Sequence, residues 1–305
     1  MKFDTSKSAF GRHETFPLRY GWLSKGFHAA ASDPKVFERD EATVVLGVGK
    51  NMVTSIRYWL RACRMIEPSS TEATKLGGLI LDQNTGFDPY LEDDATIWLI
   101  HWLLSTNSEL ATAWFWFFNT FHSAEFTSQQ LSTALADFVK EQVETRVSVG
   151  TVKSDAALIT RMYVQSKGST RTPIEEALDS PLASLNLVSQ GVNSRNFVSR
   201  ACARPGLPVE IFGYAVAELM AARNLRAIPI GELMYSQRGY AAPGAVFRLT
   251  ESDLVTKLEQ LVSLAPGDFE LRETAGLHQL FAVSAPSALG YLRRYYSGPT
   301  RELAA

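Results

Sequence analysis

The stretch FGRHETFPLRYGWL, residues 10–23, sets Arg12, His13, Glu14 and Arg19 among Phe10, Phe16, Tyr20 and Trp22. These are the side-chain types that cleavage of a phosphodiester needs. The reaction requires a group to activate the nucleophile, positive charge at the non-bridging oxygens and a proton for the leaving oxygen. His13 suits a general acid or base. Arg12 and Arg19 suit phosphate neutralisation. Glu14 could orient the histidine through the backbone turn or bind a divalent metal. The spacing is less favourable to a strand-borne site. Adjacent side chains on a strand point to opposite faces, so His13 and Glu14 diverge, whereas Arg12 and Glu14 share a face and could form a plain ion pair. A satisfied structural cluster accounts for the same four residues.

A second constellation lies on a helix predicted over 52–67. Lys50, Thr54, Arg57, Arg61 and Arg64 fall at i, i+4, i+7, i+11 and i+14, one stripe along a helical surface. Asn51 lies beside Lys50. Val53, Ile56, Leu60 and Cys63 fill a separate apolar face. No carboxylate occurs between Val48 and Ile66. Cations in a last turn also favour the helix dipole, so a solvated basic face would look similar. Lys50 is at the other end, where a cation is unfavourable. The stripe therefore points to contact with a DNA backbone. Four paired cations would give a salt slope of about −3.6, and arginines can also read guanine edges.

The surrounding elements are predicted as follows. Asp33 and Pro34 open a helix over 34–46, GVGKN makes a turn, and Pro68 ends the basic helix. Residues 75–93 read as strand, turn at Asn84-Thr85-Gly86, strand. Helix, turn, helix and hairpin is the winged helix-turn-helix order, whose second helix enters the major groove. The expected class is thus mainly α within α+β, with a DNA-binding winged-helix module over 1–92. A helical region with short hairpins follows over 93–305. Its helices are expected near 94–105, 108–121, 128–143, 153–165, 207–224 and 251–264. Residues 166–206 read as irregular, 239–249 as strand-like and 268–283 as a hairpin. The last elements suggest a second winged-helix-like module near 207–285.

Composition narrows the classes. The 305 residues carry a formal net charge of −2, which by itself does not suggest a nucleic-acid partner. The distribution does: residues 1–66 carry +5, 67–125 carry −8 and the rest +1. The two cysteines, Cys63 and Cys202, have no CxxC or Cys/His spacing and fit a reducing compartment. MKFDTSKSAF lacks the apolar core of a signal peptide. IWLIHWLL, 97–104, is too short for a membrane span. A cytoplasmic protein without membrane attachment is expected. GVGKN is not a P-loop, because Val44 stands where the first glycine belongs and Asn51 where Ser or Thr should follow the lysine. His101 reads as a hydrogen-bonded core residue, His28 as a loop residue, and no HxH or HExxH pair is present. The run Glu92-Asp93-Asp94 reads first as a helix cap and second as a magnesium or manganese ligand set.

FGRHETFPLRYGWLSKGF and LGVGKNMVTSIRYWL together resemble the SspB family, over about residues 10–66. The resemblance implies a component of a bacterial Ssp system that introduces phosphorothioate into one DNA strand as an anti-phage modification. It implies a DNA-nicking endonuclease, hence a hydrolase, acting beside a cysteine desulfurase, an ATPase and a sulfur-activating enzyme. Double-stranded DNA is then the macromolecular partner, and Mg²⁺ or Mn²⁺ the cofactor to test. A homodimer is compatible with this reading. The rival is a non-catalytic DNA-binding adaptor that recruits the sulfur-transfer enzymes, with FGRHETF as a structural clamp and the acidic segment facing a partner. A transcription regulator ranks below both, since no zipper is present.

Overall fold

The computed structural model describes residues 1–165, 180–193, 195–274 and 277–298. Helices dominate, with two small antiparallel sheets. The chain divides into a larger unit, Asp4–Phe117 with Phe121–Arg200, and a smaller one, Met1–Phe3, Phe118–Thr120 and Ala201–Ala305.

The larger unit opens with α1, Trp22–Ser32, where the sequence suggested loop. Its start has no side-chain cap and Gly26 lies within it, which hides the helix from propensity arguments. Gly26 is there for packing. A Cβ at that position would lie 2.4 Å from Ile56 and 2.9 Å from Leu60, both on α3 (Lys50–Ala62). The continuous helix expected over 34–46 is instead a one-turn 3₁₀ segment, Val36–Glu38, and α2, Ala42–Leu46. α3 begins two residues earlier than expected and ends before Cys63.

The hairpin expected over 75–93 is a correction. Residues Lys75–Leu81 form α4, with the Thr74 hydroxyl accepting from the Gly77 amide. No strand forms in 75–93, so the first two helices have no wing there and a winged helix at the amino end is not established. KLGGLIL reads as strand because two glycines weaken a helix. Gly77 is needed for close approach, since a Cβ there would stand 2.0 Å from the Met65 carbonyl oxygen. Gly78 faces open space. Gly77→Ala is therefore expected to cost about 3 kcal/mol through backbone overpacking, whereas Gly78→Ala should stabilise by up to about 1 kcal/mol. Urea denaturation of the two variants measures both; equal effects would remove the packing argument.

Two aromatic-rich helices follow, α5 (Asp94–Ser105) and α6 (Thr112–Asn119). Asp93 caps α5 through the Ala95 amide. Trp102, Trp114, Phe117 and Phe118 are fully buried, and His101 is a core residue bonded to the Tyr163 hydroxyl at 2.8 Å. Beyond them β1 (Glu125–Thr127) leads into α7 (Ser128–Gln142), whose start carries a Thr127–Gln130 capping box. α8 (Val149–Tyr163) packs on α7. β2 (Ser189–Gln190) and β3 (Asn196–Val198) complete a sheet in the order β1-β3-β2. The first part of the irregular stretch expected over 166–206, residues 166–179, lies outside the described residues.

The smaller unit runs α9 (Val209–Ala222), β4 (Ala227–Pro229), α10 (Ile230–Met234), α11 (Pro243–Val246), α12 (Glu251–Leu264), β5 (Phe269–Thr274), β6 (Leu277–Ala282) and α13 (Ala288–Tyr296). The strand-like stretch 239–249 proves to hold α11 and only isolated bridges at Tyr240. The sheet order is β4-β6-β5. Each unit thus contains strand, helices and a closing pair of strands, with the first strand hydrogen-bonded to the last.

Candidate functional site

His13 is 1% exposed. Its Nδ1 accepts from the Thr15 amide at 3.1 Å, so the ring proton sits on Nε2 and is donated to Asp155 Oδ1 at 2.9 Å. Asp155, on α8, is equally buried and also accepts from the Gly11 amide. The imidazole lies parallel to Trp59, with ring centroids 6.2 Å apart, and edge-on to Trp114 and Tyr58. Trp59 donates its indole N–H to the Phe16 carbonyl at 3.2 Å. Burial holds the Tyr58 hydroxyl well above the usual tyrosine pKa, so it is neutral. Both ring nitrogens of His13 are in use and the ring faces no solvent. This is the geometry of a clamp that ties the 10–17 turn to α3, α6 and α8.

The residues on either side of His13 diverge from it. Arg12 and Glu14 are exposed, and Glu14 and Thr15 adopt left-handed backbone at φ of +49° and +64°. That turn sends the histidine inward and its neighbours outward. The structure therefore does not bring Arg12, His13, Glu14 and Arg19 into one open cluster. Arg19 is held elsewhere, with its guanidinium 5.3 Å above the Trp22 ring and 5.9 Å from Phe16.

The basic stripe is also divided. Lys50, Asn51 and Thr54 are exposed in the first turns of α3. Arg57 is one-quarter exposed and lies 3.5 Å from Glu38. Arg61 donates to the Ser70 carbonyl at 3.4 Å. Burial, and next the charge of Arg57, push its guanidinium pKa down. Arg64 lies past the end of the helix at φ of +57° and donates to the Thr106 hydroxyl at 2.9 Å. The helical spacing that placed Arg64 on the stripe stops at Ala62. Arg61 and Arg64 are thus engaged by the 67–125 segment, leaving Lys50 and Arg57 as the cations of α3 that can meet a polyanion.

Other candidates resolve similarly. Asp88 is buried and accepts from the amides of Glu92 and Asp93 and from the Thr96 hydroxyl, so the acidic run is organised around the start of α5. Cys63 is buried, and burial pushes its thiol up to about 12, so it carries no thiolate at neutral pH. Asp155 escaped notice in the sequence. Its signal was a lone carboxylate in the apolar run Ala156, Leu158, Ile159.

The domain family described as "Protein of unknown function (DUF4007)" matches residues 10–296. Two solved structures cover 96% of this chain and 89% of theirs. One, a magnesium ion-bound SspB crystal structure, is 30% identical with a TM-score of 0.84. The chain belongs to the SspB family. The other, an SspB crystal structure, is 31% identical with a TM-score of 0.83. No curated protein matches the chain. Membership in the SspB family gives the chain a role in the Ssp system. Among the described residues no helix is long and apolar enough to cross a membrane.

Proposed function

We propose that the chain is the component of an Ssp phosphorothioation system that nicks one strand of double-stranded DNA so that sulfur can be inserted. The observation that carries the reading is the first turn of α3. Lys50, Asn51 and Thr54 stand exposed there, and Lys50 has no carboxylate partner among the described residues. Lys50, Asn51, Thr54 and Arg57 would hold phosphates, and Arg12 with Arg19 would offset charge on the strand. Glu14 is the exposed carboxylate beside Arg12. His13 takes a structural role in the clamp rather than a proton-transfer role. The desulfurase, ATPase and sulfur-activating enzyme would work on the opened strand.

One neighbour holds magnesium. Among the described residues of this chain no group of three or more His, Cys, Asp or Glu side chains could hold an ion. A dedicated protein cage therefore does not fit these residues, and no step is assigned to a metal. Magnesium at phosphates is often bound by only one or two carboxylates with water and substrate.

The adaptor reading is favoured by the sequestered His13 and its Asp155 partner, which leave FGRHETF without an available histidine. Relaxation of supercoiled plasmid separates the two. The nickase reading expects open-circular product with Mg²⁺ or Mn²⁺ or without metal, in at least one condition. Salt-sensitive binding with intact supercoiled plasmid in all three would establish the adaptor.

A further inference from the structure

Beside the start of α3 the larger unit contains a cavity of about 400 Å³. That is within the range of small-molecule sites, roughly 300–1,000 Å³. Its lining is basic and aromatic, with the cations Arg19 and Lys25 and the imidazole of His28 against Tyr20, Trp22 and Tyr90, and contains no carboxylate. Neither Arg19 nor Lys25 has a carboxylate partner among the described residues. Arg19 is preorganised by the Trp22 and Phe16 rings. Tyr20 and Tyr90 are 44% and 56% exposed. His28 fixes Tyr90 edge-on at 5.9 Å while bonding the Leu81 carbonyl through Nε2.

Two further features point to a ligand. Ser24 lines the cavity, is 4% exposed, and its Oγ has no hydrogen-bond partner among the described residues. A buried hydroxyl left unpaired is costly. Gly47, Val48 and Met52 also line the cavity, which brings the beginning of α3 to its edge. The Gly49 N-cap offers no side-chain acceptor, so the first-turn amides of this thirteen-residue helix lack a side-chain cap. Such amides favour an anion.

We propose that this cavity receives one unstacked nucleotide of a DNA strand, its base against Tyr20 and Tyr90 and its phosphate at Arg19, Lys25 and the α3 amides. Aromatic rings stack on any base and the cations track the phosphate, so the site is sequence-tolerant. The inference rests on the reading that the chain acts on DNA. It deepens that reading by making strand opening at the protein a step that the cavity stabilises.

The test measures binding of a labelled single-stranded oligonucleotide, an intact duplex of the same sequence and free dAMP to the full chain. Tyr90→Ala and Arg19→Gln alter exposed or half-buried groups, and thermal melting confirms their folding. Each is expected to weaken single-strand binding about tenfold; Tyr90→Ala should change affinity for the intact duplex less than twofold, whereas Arg19→Gln, which removes a phosphate-facing cation, should weaken duplex binding as well. Single-strand affinity unchanged in both variants, or no single-strand binding by the parent chain, overturns the proposal. Saturable dAMP binding lost in Tyr90→Ala, without single-strand binding, overturns the strand-borne form in favour of a free-nucleotide site. Failure of duplex binding and plasmid nicking counts against the function reading, and is scored separately from these arms.

Discussion

His13→Ala is expected to lower stability by about 3–5 kcal/mol while leaving the nicking rate of the folded protein unchanged. Three losses combine. The buried Asp155 carboxylate keeps its Gly11 amide but loses the imidazole N–H, and leaving a buried charged group short of a hydrogen bond costs about 1–3 kcal/mol or more. The Thr15 amide loses its acceptor. The ring's departure opens a space between Trp59 and Trp114 that those large side chains fill poorly. Asp155→Asn should cost less, because an amide oxygen can still accept from both Gly11 and His13. Urea denaturation supplies the stabilities, and plasmid nicking well below the melting temperature supplies the rate per folded molecule. A variant within about 0.5 kcal/mol of the parent that nicks a hundredfold more slowly would return His13 to catalysis.

The clamp also explains how much could be read before the structure. Capping chemistry is local, so Asp93, Thr127 and Thr250 mark the starts of three helices at the residues where they occur. The apolar period of Val53, Ile56 and Leu60 likewise locates α3, because all three are buried as the spacing requires. What local pattern cannot supply is a reason for a glycine. Gly26 and Gly77 look like helix breakers, yet each permits a contact with a segment more than ten residues away, at Ile56 and at Met65. Both missed elements, α1 and α4, fail on that one point, and the expected wing fails with α4.

The site was legible in its residue types and not in its partners. The partner of His13 lies 142 residues along the chain. The left-handed turn at Glu14 and Thr15, rather than strand alternation, sends His13 inward while Arg12 and Glu14 face outward. Similarly, the stripe arithmetic holds through Arg61 and breaks at Arg64, because the helix ends at Ala62 and the backbone turns. A periodic argument extrapolated past a helix end assigns a solvent-facing role to a side chain that is bonded to Thr106.

That difference yields the second large effect. With Arg61 and Arg64 engaged within the protein, α3 is expected to contribute a salt slope of about −1.8 from Lys50 and Arg57, half the value a four-cation stripe would give. Lys50→Ala should flatten the slope by about 0.9 and leave the melting temperature where it is, since the side chain is exposed and unpaired among the described residues. Reversing the charge with Lys50→Glu should weaken duplex binding by an order of magnitude or so at low salt, where screening is least. Arg64→Ala should do the opposite. It removes a charge-assisted hydrogen bond to Thr106, costing about 1.5–3 kcal/mol of stability, and leaves the salt slope intact. Affinity for one duplex across a salt series, set beside denaturation curves for the same variants, distinguishes the two residues. If Arg64→Ala flattened the slope and Lys50→Ala did not, the DNA would lie along the far end of α3, and the nucleotide cavity at its near end would lose its strand.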